Sequence, residues 1–125
     1  MRVLLADDHG IVRRGLRTLL ESEPGLTVVA EAADGLEALR LCAEHQPELL
    51  ILDIGMPKLN GHEVARRIRE EPWGEGMILV AITGWGQEED KRRALEAGFD
   101  HHLTKPAEAA TLEKLLARFA PAGRP

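Results

Sequence analysis

The middle of the chain carries a run of four apolar residues, Leu49-Leu50-Ile51-Leu52, which is followed directly by Asp53. A strand that is buried on both faces shows no polar alternation, because each of its side chains meets apolar neighbours. The run is therefore predicted to be an inner strand of a parallel sheet. Asp53 is predicted to mark the point where that strand ends.

Similar short apolar segments occur on both sides of this run, at residues 3–6, 26–30, 77–82 and, more weakly, 101–104. Amphipathic segments with the spacing of helices lie between and after them. Five such strand–helix units in succession predict an α/β domain, a parallel sheet with helices on both faces. The apolar positions that mark the helices are Val12, Leu16, Leu19 and Leu20; Leu36, Leu39 and Ala43, with Ala38 and Cys42 alongside; Val64, Ala65 and Ile68; Ala94, Leu95 and Ala97; and Leu112, Leu115, Leu116 and Phe119.

A length of 125 residues is that of one domain, and the composition is that of an ordinary globular protein. We expect residues 1–120 to form the domain and residues 121–125, Pro-Ala-Gly-Arg-Pro, to be a frayed tail or the start of a linker.

The formal net charge is −5, so we expect no direct binding to nucleic acid, whose phosphates a negative surface repels. The one cysteine, Cys42, cannot form an internal disulfide, which fits a reducing cytoplasm. No apolar run approaches the length of a membrane span, so we expect no membrane partner.

Polar side chains follow four of the predicted strands, and ligands of open parallel sheets bind beyond the carboxyl ends of the strands. Asp7 and Asp8 follow the first strand, Asp53 the third, Thr83 the fourth and Lys105 the fifth. Three carboxylates at one edge cannot all stay ionised without compensating positive charge. Lys105 would supply one such charge, and a hard divalent cation such as Mg²⁺ would supply the rest.

Each of these residues, taken singly, also has a simpler interpretation. Asp7 and Asp8 could cap a helix, and Asp53 could belong to a turn. Thr83 is an ordinary strand residue, and Lys105-Pro106 could be a surface turn. Only their order, each at the end of a strand, favours a common site.

Four segments together resemble the receiver domain of two-component response regulators, of the chemotaxis-protein type. They are LLADDH at 4–9, LILDIGMP at 50–57, AITG at 81–84 and KP at 105–106, with Gly61 in addition. The likeness extends from about residue 2 to about residue 119. It implies a flavodoxin-like topology, a doubly wound five-stranded sheet in the order 2-1-3-4-5 with five helices. The segment ITGWGQEED at 82–90 also resembles receivers attached to hybrid histidine kinases.

The resemblance implies a phosphoryl-transfer site. Asp53 would be the phosphoacceptor, and a histidine kinase or a histidine phosphotransfer protein would be the donor. Asp8, Asp7, Asp53 and the backbone carbonyl of Gly55 would bind Mg²⁺. Because only the chain itself is modified, with slow self-dephosphorylation, we do not expect it to be an enzyme in the usual sense.

The resemblance also implies a switch. Thr83 and Lys105 would contact the phosphoryl group, and the small Gly84 would leave room for it. The bond before Pro106 would be cis. His102 stands where receivers of this family usually carry tyrosine or phenylalanine, and it would turn to change the face of helix 4, strand 5 and helix 5. That face would bind an output protein or a linked output domain, neither of which the sequence identifies.

Three other functions compete with this one. A Mg²⁺-dependent aspartyl phosphohydrolase generally needs a second acid two residues after the nucleophile, where this chain has Gly55. A flavin-binding electron carrier needs a phosphate-binding loop where Asp7-Asp8-His9 stands. A degenerate receiver that only binds partners would not need the full acidic set.

Overall fold

Strands and helices alternate along the chain in the computed structural model, which describes residues 1–56, 58–83, 88–104 and 109–119. A 3₁₀ turn spans Pro72–Gly74. The elements of these described segments are β1 (Arg2–Ala6), α1 (Gly10–Glu21), β2 (Thr27–Ala32), α2 (Gly35–His45), β3 (Leu49–Asp53), α3 (Gly61–Glu70), β4 (Ile78–Thr83), α4 (Glu88–Ala97), β5 (His101–Thr104) and α5 (Ala109–Phe119).

The strands form one parallel sheet in the order β2-β1-β3-β4-β5, which confirms the predicted α/β fold and strand order. Ala6 is paired with Leu52, and Asp53 is paired with Ile82. The carboxyl ends of β1, β3 and β4 therefore lie next to one another, and each strand ends one residue beyond the one before it. This register brings the residues that follow these strands to one edge of the sheet.

The inner strand β3 is buried at all five positions, as its unbroken apolar run predicts. Leu50 and Leu52 belong to a core cluster that includes residues of α2 and α3. Leu49 and Ile51 belong to a second cluster that includes residues of α1 and α5. The alternation places helices on both faces of the sheet, and no helix of the described segments is long and apolar enough to cross a membrane.

Three of the large apolar side chains that mark the helices lie at the surface. Val12, Leu36 and Leu95 are 37%, 49% and 61% exposed. Helix α2 instead buries the small side chains of Ala38 and Cys42 against the sheet. A helix packs through the face that fits its neighbours most closely, and this need not be the face with the largest apolar residues.

Four of the five strands also differ by one or two residues from the prediction, and β1 and β3 are each one residue longer, by Arg2 and by Asp53. Strand β2 covers Thr27–Ala32 instead of 26–30, and β4 covers Ile78–Thr83 instead of 77–82. Pairing with neighbouring strands sets these limits, since Ala32 is paired with Ala6 and Thr83 with Thr104. The apolar runs alone do not contain this information.

The buried thiol of Cys42 is expected to resist alkylation in the folded protein. Burial raises its pKa to about 12, so very little reactive thiolate exists near neutral pH. We expect iodoacetamide to label the native chain at least about 100-fold more slowly than the urea-unfolded chain, as followed by intact mass. Equal rates in the two states would show that the thiol is accessible and would contradict its assignment to the core.

Candidate functional site

The loop that follows β1 places Asp7 at the edge of the sheet, below the surface. The amide of Asp7 donates to the carbonyl of Ala32 (3.0 Å) and so prolongs the pairing of β1 with β2. Its side chain is fully buried, and Oδ1 accepts a hydrogen bond from the amide of His9 (2.8 Å). These two bonds fix both the backbone and the carboxylate of Asp7.

Asp53, the last residue of β3, is held in a similar way. The amide of Ile54 donates to the carbonyl of Ile82 (3.2 Å), which continues the pairing with β4. Oδ1 of Asp53 accepts from the amide of Gly55 (2.9 Å) and the residue is 6% exposed. The Gly55 amide therefore fixes the rotation of this carboxylate.

The carboxylates of Asp7, Asp8 and Asp53, here named the acidic cluster, come together with the imidazole of His9. Each of the four residues offers one atom that could bind a metal, and these atoms lie within 4.8 Å of one another. Asp7 and Asp53 are buried, whereas Asp8 and His9 are exposed. The arrangement is a group of three carboxylates, of which two are buried and one is exposed to solvent.

His9 is a site residue to which the sequence analysis gave no role. Its Nδ1 lies 3.2 Å from Asp7 Oδ1, 3.3 Å from Asp8 Oδ1 and 3.8 Å from Asp53 Oδ2. The one available signal was its place directly after two aspartates. The spacing does not show where the imidazole points, and its approach to Asp53 depends on the pairing of β1 with β3.

Arg13 of α1, which was not among the predicted site residues, holds the loop after β1 through a hydrogen bond to its backbone. Its guanidinium donates to the carbonyl of Asp7 (2.6 Å) and to Glu31 at the end of β2 (2.9 Å). Arg17 also binds Glu31. Burial opposes ionisation of Glu31, but the hydrogen bonds from Arg17 and Arg13 outweigh it and lower its pKa. The charged Glu31 thus links β2 to α1 and, through Arg13, to the loop that follows β1.

The predicted phosphoryl-binding residue Thr83 ends β4 at the same edge and is buried. Its hydroxyl donates to the carbonyl of Leu103 in β5 (3.3 Å). Gly55 lies in the turn after Asp53, where its amide contacts the carboxylate. The structure thus brings Asp7, Asp8, Asp53 and Gly55 together, with Thr83 at the end of the adjacent strand.

The remaining predicted site residues are less closely defined. His102 is exposed on β5, an edge strand, at the position paired with Ala81. Gly84, Lys105 and Pro106 lie outside the described residues, as does the predicted tail at 121–125. Their roles therefore remain predictions.

The sequence matches a known protein family over most of its length. The model of the response regulator receiver domain family matches residues 3–117. The chain belongs to this family. The resemblance deduced from the motifs is therefore confirmed, and with it the assignment to two-component signal transduction.

Two curated receivers illustrate how far the likeness extends. The chemotaxis protein CheY of Halobacterium salinarum is 38% identical over 105 residues, which cover 84% of each protein. The nitrate/nitrite response regulator NarL of Escherichia coli K12 is 35% identical over 114 residues, which cover 91% of this chain and 52% of NarL. The chain thus spans most of the length of CheY but only about half the length of NarL.

Among solved structures, the receiver domain of the sensor histidine kinase PA1611 from Pseudomonas aeruginosa PAO1 superposes with a TM-score of 0.84. It is 28% identical, with 94% of each chain covered, and it is described with a magnesium ion coordinated in its active site cleft. Receiver domains bind Mg²⁺ at a cluster of aspartates, and they generally act as signalling modules. None of these relatives favours a phosphohydrolase, a flavin protein or a receiver that only binds partners.

Proposed function

We propose that the chain receives a phosphoryl group on Asp53 from the phosphohistidine of a histidine kinase or a histidine phosphotransfer protein. The convergence of Asp7, Asp8 and Asp53 at the carboxyl edge of a receiver-family sheet carries this proposal. The carboxylate of Asp53 is well suited to the reaction, because the Gly55 amide holds one oxygen while Oδ2 faces the open cluster.

The donor set fits a magnesium ion. Two buried carboxylates and one exposed carboxylate lie close together, and hard oxygen ligands of this kind suit Mg²⁺. Asp8, Asp7, Asp53 and the carbonyl of Gly55 would hold the ion. When bound, Mg²⁺ supplies positive charge that offsets the charge of the transferring phosphoryl group.

In the transfer step, an oxygen of Asp53 attacks the phosphorus atom in line with the leaving imidazole. The bond from phosphorus to nitrogen breaks, a bond from phosphorus to the Asp53 oxygen forms, and the donor histidine is released. The modified residue is an acyl phosphate that water can later hydrolyse. This is self-modification, so we do not propose turnover of an external substrate.

The proposal extends to the switch residues. Thr83 and Lys105 would bind phosphoryl oxygens, Gly84 would admit the group, and Lys105-Pro106 would carry the cis bond. His102 would respond at the aromatic position of β5. The face of α4, β5 and α5 would then bind an output protein or a covalently linked output domain.

The proposed boundaries and setting follow the same logic. Residues 1–120 would form the receiver unit, which the family match to 3–117 supports, and 121–125 would form a tail or linker. The unit would work in the cytoplasm, which its single thiol fits, and without contacting DNA itself.

Incubation with Mg²⁺ and a small acyl phosphate tests the proposal. Intact-mass measurement should show that the wild type gains one phosphoryl group, that excess EDTA prevents the gain, and that Asp53→Asn abolishes it. Asp34→Asn is the matched control, because it removes a carboxylate that follows β2 and keeps the side-chain oxygen that caps α2. A phosphorylated Asp53→Asn variant, or an unmodified wild type, would contradict the proposal.

A further inference from the structure

His9 precedes the first turn of α1, and its imidazole does not cap the helix. It is the N-cap residue, a position where serine, threonine, aspartate and asparagine are preferred. Within the described residues 9–21, its side chain makes no capping hydrogen bond to the helix. The imidazole is instead directed at the acidic cluster, with Nδ1 within 4 Å of all three carboxylates.

The imidazole nitrogen lies in a place that a metal ligand could take. One ring nitrogen can donate one hydrogen bond, yet Nδ1 approaches three separate carboxylates at 3.2, 3.3 and 3.8 Å. Neighbouring ligand atoms around an octahedral ion with bonds of about 2.1 Å lie about 3.0 Å apart, and opposite ones about 4.2 Å apart. The distances to Asp7 and Asp8 are close to the value for neighbouring ligands, and the distance to Asp53 lies between the two values.

We infer that Nδ1 of His9 is a fourth side-chain ligand of the divalent metal site, and this inference rests on the proposed function. A nitrogen ligand adds little for Mg²⁺, which prefers oxygen, but it favours later first-row ions such as Co²⁺. The site therefore binds Co²⁺ more tightly, relative to Mg²⁺, than a site made of oxygens alone. His9, to which the resemblance to receiver domains gave no role, thus sets the metal preference of the site.

Calorimetric titration of Mg²⁺ and Co²⁺ at about pH 8, where free imidazole is neutral, tests the inference. The His9→Ser variant removes the ring and supplies a favoured N-cap, so its fold is expected to be kept. We expect Co²⁺ affinity to fall at least about tenfold and Mg²⁺ affinity to change less than about threefold. The matched control is His45→Ser, which removes an imidazole far from the site. His45 ends α2 beside Gln46, whose carbonyl accepts from Arg2 at the start of β1, whereas the acidic cluster lies beyond the end of that strand.

Two results would overturn the inference without touching the proposed function. One is an equal change in both affinities. The other is a gain in both, which would show that the imidazole competes with the metal. In either case acyl phosphate would still modify Asp53. Asp8→Asn provides the reference, since unchanged Mg²⁺ binding in this variant would contradict the magnesium site itself, and the inference with it.

Pulsed electron paramagnetic resonance of bound Mn²⁺ gives an independent readout of the same contact. A directly bound imidazole couples its nitrogen nucleus to the metal electrons, so the wild type should show nitrogen coupling. His9→Ser should lose this coupling, and His45→Ser should keep it. Absence of nitrogen coupling in the Mn²⁺-loaded wild type would overturn the inference.

Discussion

Replacing Arg69 with methionine is expected to lower the free energy of unfolding by about 3 kcal/mol or more. The guanidinium lies at the end of α3 and is 23% exposed at the side chain. It forms charge-assisted hydrogen bonds with four carbonyls and one carboxylate. The partners are the carbonyls of Gly74 (3.0 Å), Glu75 (3.2 Å), Met77 (2.6 Å) and Gly98 (2.9 Å) and the carboxylate of Asp100 (2.8 Å).

The effect is large because these partners belong to several segments of the chain. Oδ2 of Asp100 also accepts from the amide of Leu79 (2.8 Å), so the beginnings of β4 and β5 depend on the same charge. Methionine keeps much of the apolar stem but leaves several partly buried acceptors without their donor. Each such loss costs about 1–3 kcal/mol when water cannot replace the donor fully.

Urea unfolding followed by circular dichroism measures this change. Arg66→Met is the matched control, since Arg66 lies on the same helix, is 61% exposed and pairs only with Glu63 among the described residues. Its loss should cost no more than about 0.5 kcal/mol. Equal destabilisation by the two substitutions would show that the Arg69 contacts at the beginnings of β4 and β5 contribute little.

Replacing Gly35 with alanine is expected to destabilise the domain by about 3 kcal/mol or more. A Cβ atom at this position would lie 1.7 Å from the carbonyl oxygen of Leu59 and 2.6 Å from its carbon. Both are backbone atoms, so no side chain can rotate away to relieve the clash. The loop between β3 and α3 would have to move away from the start of α2.

Gly15→Ala in α1 is the control for this prediction. No heavy atom outside the immediate chain lies within 4 Å of a Cβ built at Gly15. Alanine there should raise stability by about 0.5–1 kcal/mol through its helix propensity. Thermal unfolding of both variants under the same conditions measures the difference. A Gly35→Ala variant as stable as the wild type would show that the loop can shift freely.

Much of this molecule follows from local patterns. The unbroken run at 49–52 predicts a strand buried on both faces, and residues directly after such strands must meet at one edge. Asp7, Asp8 and Asp53 could therefore be placed together from the sequence alone. Their convergence needs only the parallel topology and the register of β1 with β3.

The features that the sequence did not reveal depend on distant partners. Arg13 meets Glu31 across 18 positions, and Arg69 meets Asp100 across 31. Periodicity identifies a helix but not which face packs, since Leu36 and Leu95 both mark helices and yet are exposed. The contacts of His9 could not be predicted for the same reason, because they depend on where three carboxylates lie in space.

The hydroxyl of Thr83 is already engaged in the unmodified domain, where it donates to the carbonyl of Leu103. If it turns toward a phosphoryl group on Asp53, this hydrogen bond is lost, at a cost of about 0.5–1.5 kcal/mol. This hydrogen bond would thus slightly favour the unmodified arrangement of Thr83, and contacts with the phosphoryl group would have to offset that free energy. Phosphorylation of Asp53 would then reach β5, the edge strand, as the loss of this hydrogen bond to Leu103.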